Sequence, residues 1–247
     1  TPDGLVYREV RLTIVLLDLV SSTKFIDRAG PLKAAQWMQR HDRLTRSLLY
    51  RFRGREIDRS DGFLFTFDSV IDAVNFCLYY QSGVPSRTGL KARVGVHVGL
   101  VIEVEQDELN VLAGAKPIEV EGVTKNVAAR TMSAAGPGQI LLTSEAFKAA
   151  KASVNRETPK QTSFACVGVF RFKGIRAEQT LYAVGQSVES LQPPRGGGKV
   201  RKLAGPSKIK QRAQRRQVID LILIGIWVMF LISLACLVAL LWPWLWR

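Results

Sequence analysis

The chain has 247 residues, of which 47% are hydrophobic, and a formal net charge of +14. That length supplies a core of roughly 150 to 190 residues with chain to spare, and the apolar content excludes a wholly disordered or collagen-like protein. Its cysteines, Cys77, Cys166 and Cys236, lie far apart in apolar surroundings. They fit neither a disulfide framework nor a zinc-site spacing, and read as packed thiols of a reducing compartment.

The first element is "VRLTIVLLDLV" at 10–20, a branched apolar run that reads as a buried strand, followed by "SST", which can cap a helix. Helical spacing then covers 31–52, with Pro31 in the first turn and Gly54 past the end. "GREIDRSDGFLFTFD" reads as strand 55–59, a turn at Ser60-Asp61-Gly62 and strand 63–67. "SVIDAVNFCLYYQS" forms a second amphipathic helix, and "LKARVGVHVGLVIEVE" a fourth strand, or two joined at Gly99. The order strand-helix-strand-strand-helix-strand is the split βαβ or ferredoxin-like arrangement, an α+β fold with one antiparallel sheet and helices on one face. A helix at 123–134, a strand at "GQILLT", a short helix at "SEAFKAAK" and strands around "VFRFKG" and "QTLYAVG" complete a domain over 1–186.

Residues 187–217 turn polar, Gly/Pro-containing and basic, which predicts a flexible linker. Nine Lys or Arg lie at 195–217, leaving about +5 for the first 194 residues, so the basic balance is local. "LILIGIWVMFLISLACLVALLW" at 221–242 carries no charge; as a helix it is roughly 33 Å long, enough to cross a hydrocarbon core. The region 218–247 therefore reads as a single transmembrane helix with a short tail, and Trp242, Trp244 and Trp246 as its far interfacial belt. Under the positive-inside rule the N-terminal domain is cytoplasmic, at a bacterial inner membrane. The basic run beside the span suits a lipid surface and argues against nucleic acid.

Asp18 interrupts an apolar strand, and a buried carboxylate there needs a cation. In the ferredoxin-like order the end of strand one approaches the hairpin between strands two and three, so Asp18 and Asp61 can share an ion, with Mg²⁺ the natural guest of few carboxylates. The alternative is that Asp61 only forms the turn and Asp18 caps the next helix. His97 reads as structural, and Arg93 and Glu103 as surface or sheet-edge charges.

Taken together, "VLLDLVSSTKF", "GREIDRSDGFLFTF", "ARVGVHVGLV", "GVTKNVAARTMSAAGPGQILLTSEA" and "FRFKGIRAEQTLYAV" resemble, in order, the catalytic domain of class III nucleotidyl cyclases over about residues 8–186. The resemblance implies that Asp18, Asp61 and the carbonyl of Leu19 hold two Mg²⁺ (or Mn²⁺) ions per site. It implies that Asn126 orients the ribose and Arg130 stabilises the transition state, and it places Lys173 near the triphosphate. It also implies a head-to-tail homodimer in which one chain's aspartates meet the other's Asn and Arg. The reaction expected is conversion of a nucleoside triphosphate, ATP by default, to a 3′,5′-cyclic nucleotide and pyrophosphate, acting on a downstream cyclic-nucleotide effector.

The base-reading positions depart from the adenylate pattern. Ile57 or Asp58 stands where those members carry Lys, and Glu119 stands for the partner Asp. Arg59, Arg55 or Tyr50 is a candidate replacement donor. The family also includes pyrimidine cyclases of antiphage systems, which gives UTP or CTP as an alternative substrate; a catalytically silent nucleotide-binding module is a second alternative.

Overall fold

The structure is a computed structural model that describes residues 5–60, 62–194 and 198–206, and its first compact unit ends at Leu203. Two long strands form its spine. β1 (Val6–Leu19) and β4 (Ala92–Glu105) pair antiparallel along their whole length, from Val6 opposite Glu105 to Leu19 opposite Ala92. Both outrun the expectation: β1 starts before residue 10, and β4 passes Gly99 without a break. Between them come α1 (Ser22–Ala29), α2 (Pro31–Arg51), the hairpin β2 (Arg55–Arg59) and β3 (Gly62–Phe67), and α3 (Val70–Thr88). The chain continues through α4 (Glu108–Leu112), β5 (Ile118–Glu121), α5 (Val123–Ala134), β6 (Ile140–Thr143), α6 (Ser144–Ala152), β7 (Ser163–Phe172), β8 (Gln179–Gly185) and β9 (Val200–Ala204).

The sheet runs β2-β3-β1-β4-β6-β8-β7-β9, with β5 on the far end of β4. It is mixed rather than wholly antiparallel, because β4 and β6 run parallel, Val94 opposite Ile140. The reason is the crossover through α5: a helix between two strands returns the chain to the end where it began.

Helices cover both faces, not one. Val15, Leu17 and Leu19 of β1 pack with Phe63, Phe65 and Phe67 of β3 beneath α2, α3 and α6. Leu12 and Ile14, which point the other way, join Val101, Val120 and Ala128 of α5. The unbroken apolar run of β1 was the local sign of this, since a strand with one wet face alternates. α5 lies so close to β4 that a Cβ on Gly95 would stand 2.2 Å from the Met132 nitrogen. Aromatic rings knit the other side: Phe63 stacks on Phe65 at 4.9 Å between centroids, and Phe65 meets Phe76 edge-on at 5.2 Å.

Part of the stretch expected as flexible linker is ordered on this unit. A short 3₁₀ turn at Glu189–Leu191 is tied down by Gln139, whose Nε2 donates to the carbonyls of Ser190 (3.1 Å) and Gln192 (2.7 Å). β9 then extends the sheet, its Val200 only 2% exposed in a cluster with Phe170 and Phe172. One buried valine among basic residues makes no alternating pattern, so the sequence carried no strand signal there. Among the described residues no helix is long and apolar enough to cross a membrane. The expected span at 218–247 and linker residues 207–217 lie outside the described residues.

Candidate active site

Asp18 occupies the penultimate position of β1, where the antiparallel registers set it opposite Arg93 on β4 and Gly62 on β3. Its carboxylate is half-buried, and Arg93 supplies the cation the sequence demanded: Nε donates to Oδ2 at 2.7 Å and Nη2 approaches the same oxygen at 2.6 Å. Arg93 is therefore a partner of the candidate metal ligand, not a spare surface charge. The sheet register that pairs them could not be read along the chain. Gly62 is required on steric grounds, because a Cβ there would lie 2.3 Å from the Leu17 carbonyl oxygen. That close approach brings the hairpin end to Asp18. Asp61 lies outside the described residues. Leu19 is buried at the strand end.

Among the described residues no three His, Cys, Asp or Glu side chains gather as a metal cluster. What the strand end does offer is a half-buried carboxylate beside a tightly packed turn, a hard oxygen donor whose chemistry fits Mg²⁺ or Mn²⁺.

Asn126 and Arg130 sit elsewhere. α5 buries Thr124, Val127, Ala128, Thr131 and Ala134, which turns the Asn126 and Arg130 face outward. The start of the helix is pinned over the middle of β4 by the Thr124 hydroxyl, which donates to the Leu100 carbonyl at 2.6 Å. Its end lies over Gly95, and Arg93 is two residues further along the strand. Asn126 thus stands roughly 12 Å up the helix from the end nearest Asp18, at about 1.5 Å per residue. Arg130 is beside Lys173: its Nε reaches the Lys173 carbonyl at 3.4 Å, and the Lys173 side chain is exposed.

The candidate base readers are dispersed. Asp58 on β2 is ion-paired with Lys116, which comes from the connection between α4 and β5. Lys116 was not singled out in the sequence, because a lysine 58 residues away carries no local signal. Glu119 is half-buried on β5, opposite Val104. Arg59 is committed to Asp42 (Nε to Oδ2, 3.0 Å), to the Ser60 carbonyl and to the Phe63 ring, 4.8 Å from the centroid. Arg55 bonds Glu103 at 2.7 Å, and Glu103 is itself buried rather than a free edge charge. Tyr50 is 88% exposed on α2. A cavity of about 760 Å³ is lined by Arg93 but by none of Asn126, Arg130, Glu119 and Asp58.

His97, on β4, bonds the Thr143 hydroxyl through Nδ1 at 2.8 Å, and burial holds its pKa below the ordinary histidine value. That is the environment of a neutral, structural histidine.

A split-βαβ sheet with a carboxylate at the end of its first strand, a tight Gly hairpin against it and an outward Asn/Arg pair on the crossover helix defines a nucleotidyl-cyclase type of catalytic domain. The model of the adenylate and guanylate cyclase catalytic domain matches residues 6–186, and the chain belongs to that family. It is, accordingly, a class III nucleotidyl cyclase domain. The receptor-type adenylate cyclase GRESAG 4.1 of Trypanosoma brucei brucei is 34% identical over 94 residues, 38% of this chain and 7% of that relative. The chain thus corresponds to a small part of the length of such receptors. Among solved structures, a T. brucei adenylate cyclase in its monomeric state superposes with a TM-score of 0.59 at 24% identity, covering 78% of this chain and 94% of that one. The adenylyl cyclase CyaB of P. aeruginosa gives 0.63 at 16% identity, covering 75% and 99%. These likenesses concern the fold.

Proposed function

We propose that this chain converts a nucleoside triphosphate into a 3′,5′-cyclic nucleotide and pyrophosphate at sites shared by two copies arranged head to tail, on a domain tethered to a membrane by residues 218–247. The observation that carries the reading is that Asn126 stands exposed on α5, roughly 12 Å up the helix from the end that lies over Gly95. The family resemblance assigns Asp18 and Asn126 to one site, and a second copy related head to tail would bring the exposed α5 face of one chain to the Asp18 end of the other.

In that site Asp18, Asp61 and the Leu19 carbonyl would hold two divalent cations. Bound metal lowers the pKa of the ribose 3′-hydroxyl and offsets charge on the departing pyrophosphate. The Asn126 amide orients the ribose from the opposing chain, so that the hydroxyl lies in line with the α-phosphorus. Arg130 presents a planar guanidinium to the phosphoryl oxygens, where negative charge builds as the 3′-oxygen bonds to phosphorus and the bond to pyrophosphate breaks. Lys173, beside it, adds a second cation for the triphosphate.

ATP is the favoured substrate. Asp58, at the position of the missing lysine, is neutralised by Lys116, so the base-reading region still offers an ammonium donor together with the Glu119 acceptor. Adenine's Watson–Crick edge, an acceptor nitrogen beside an amino donor, matches that pair, as does cytosine's, and the adenylate cyclases among the relatives favour adenine. The test is incubation of the full-length chain with Mg²⁺ or Mn²⁺ and each of ATP, GTP, CTP and UTP, with products identified by mass. Cyclic AMP alone is expected. Cyclic UMP or CMP alone would replace ATP by a pyrimidine nucleotide and favour the antiphage assignment. No product from any of the four, in a folded dimer, would overturn the catalytic reading in favour of a silent binding module.

A further inference from the structure

The densest buried polar network of the described domain lies behind the β2–β3 hairpin, in residues to which the proposed reaction assigns no part. His41 of α2 is wholly buried, with Nε2 2.7 Å from the Tyr80 hydroxyl of α3 and Nδ1 3.1 Å from Asp42 Oδ1. The other carboxylate oxygen of Asp42 accepts from Arg59 Nε at 3.0 Å, and the Arg59 Nη1 donates to the carbonyl of Ser60. The Ser60 amide closes the turn onto the Gly62 carbonyl at 3.2 Å, and Gly62 is the residue opposite Asp18. An unbroken chain of bonds thus runs from the centre of the helical layer to the strand end carrying the candidate metal ligand.

The protons along it can be placed. A carboxylate only accepts, so His41 donates from Nδ1 to Asp42, and Nε2 shares the second bond with the Tyr80 hydroxyl. Burial raises the Asp42 pKa, but the bonds from His41 and Arg59 outweigh it and leave the carboxyl below its ordinary value. Tyr80 is pushed up by burial and keeps its proton. Every member is oriented by the one behind it, and Arg59 is held from below by the Phe63 face. An arginine tied only into a hairpin would need none of this. A buried histidine and tyrosine on two helices are costly unless satisfied, and here they are satisfied by each other and by Asp42.

We propose that Tyr80, His41, Asp42 and Arg59 are positioning residues that set the end of the β2–β3 hairpin against Asp18, and so set the affinity of the site for divalent metal. The proposal rests on the cyclase reading for its functional half, and its test separates the two. In the full-length chain without metal or nucleotide, amide hydrogen exchange at Ser60 is compared in wild type, Tyr80→Phe, Asp42→Asn and Arg59→Lys. About tenfold faster exchange at Ser60 is expected, with Phe76 and Cys77 of α3 keeping their protection. In turnover assays the Mn²⁺ concentration for half activity should rise about fivefold or more, by more than the KM for nucleotide at saturating metal. Unchanged exchange at Ser60 in the folded variants overturns the proposal, as does a loss of protection spread evenly over the domain. Tyr80→Phe removes a single hydroxyl and keeps the test decisive if Asp42→Asn fails to fold. A chain that makes no cyclic nucleotide leaves the exchange result to decide the positioning role alone.

Discussion

The two regions that carry the candidate catalytic residues are built in opposite ways. At the β1 end the described polar groups are tied together: Asp18 to Arg93, the hairpin to Arg59, and Arg59 through Asp42 to His41 and Tyr80. On α5 the reactive face points out. Asn126 is exposed, and Arg130 is steadied only by a long 3.4 Å bond to a carbonyl. The first region is braced within one chain, which suits small, highly charged ions that require fixed oxygens. The second leaves the Asn126 side chain exposed, as the proposed head-to-tail pairing requires. Preorganisation on one side and availability on the other is what a composite site between copies requires.

The contrast is broken most directly by mixing. Asp18→Ala and Arg130→Ala should each lower kcat by about 100-fold or more, the scale for losing a charge-stabilising group. Combined in one tube, the two inactive proteins should regain activity, since one of the two composite sites in a mixed dimer is intact; an inactive mixture of dimers would place Asp18 and Arg130 in a site within one chain. Next in size are changes to the scaffold. Gly62→Ala drives a methyl into the Leu17 carbonyl and should lower stability by about 1–3 kcal/mol in denaturant titration, with metal half-saturation weakened as well. Ending the chain at 186 rather than 206 strips β9 and the burial of Val200, which should cost about 2 kcal/mol. Lys173→Ala, on the open side, should raise KM several-fold, by about 1 kcal/mol of lost phosphate attraction, with kcat little changed. The smallest effect is acid sensitivity from His97. Its folded-state pKa lies below the unfolded value, so the unfolded chain binds the proton first. Stability contributed by the neutral ring is present above about pH 6.5 and declines as pH falls through and below that value. His97→Gln should flatten the change in Tm between about pH 7 and 5.

The legible parts of this molecule were those written locally. α5 was bounded at 123–134 by its own spacing, and the β2–β3 hairpin by its Asp-Gly turn; both stand where expected. Asp18 was visible because a lone acid in an apolar strand is a physical anomaly. What supplies its cation was not, since Arg93 meets it only through the β1–β4 register across 75 residues. Lys116 and Asp58 pair for the same non-local reason. His41 and Asp42 lay in a helix rich in arginines, where nothing marks which polar residues turn inward until α3 packs on α2. The helical cover of the second face was encoded in β1 but was outweighed by the simpler one-layer pattern. β9 had no periodicity to read, and its place is set by an edge of β7 that exists only once the sheet has formed.

The full-length β1–β4 ladder has a further consequence. Side chains on a strand alternate, so the ribbon behaves as a ruler graduated in single residues, and Asp18 is legible to Arg93 and Gly62 at one setting only. Inserting or deleting one residue near Val6, where the exposed end can absorb it, would shift nothing at the far graduation. The same edit between Leu12 and Leu17 would turn the carboxylate from the α5 face of the sheet to the face packed beneath α2, α3 and α6, while changing the chain's composition by a single residue. In such a protein, length polymorphism near Asp18 is silenced by geometry, and substitution is the only gradual path open to it.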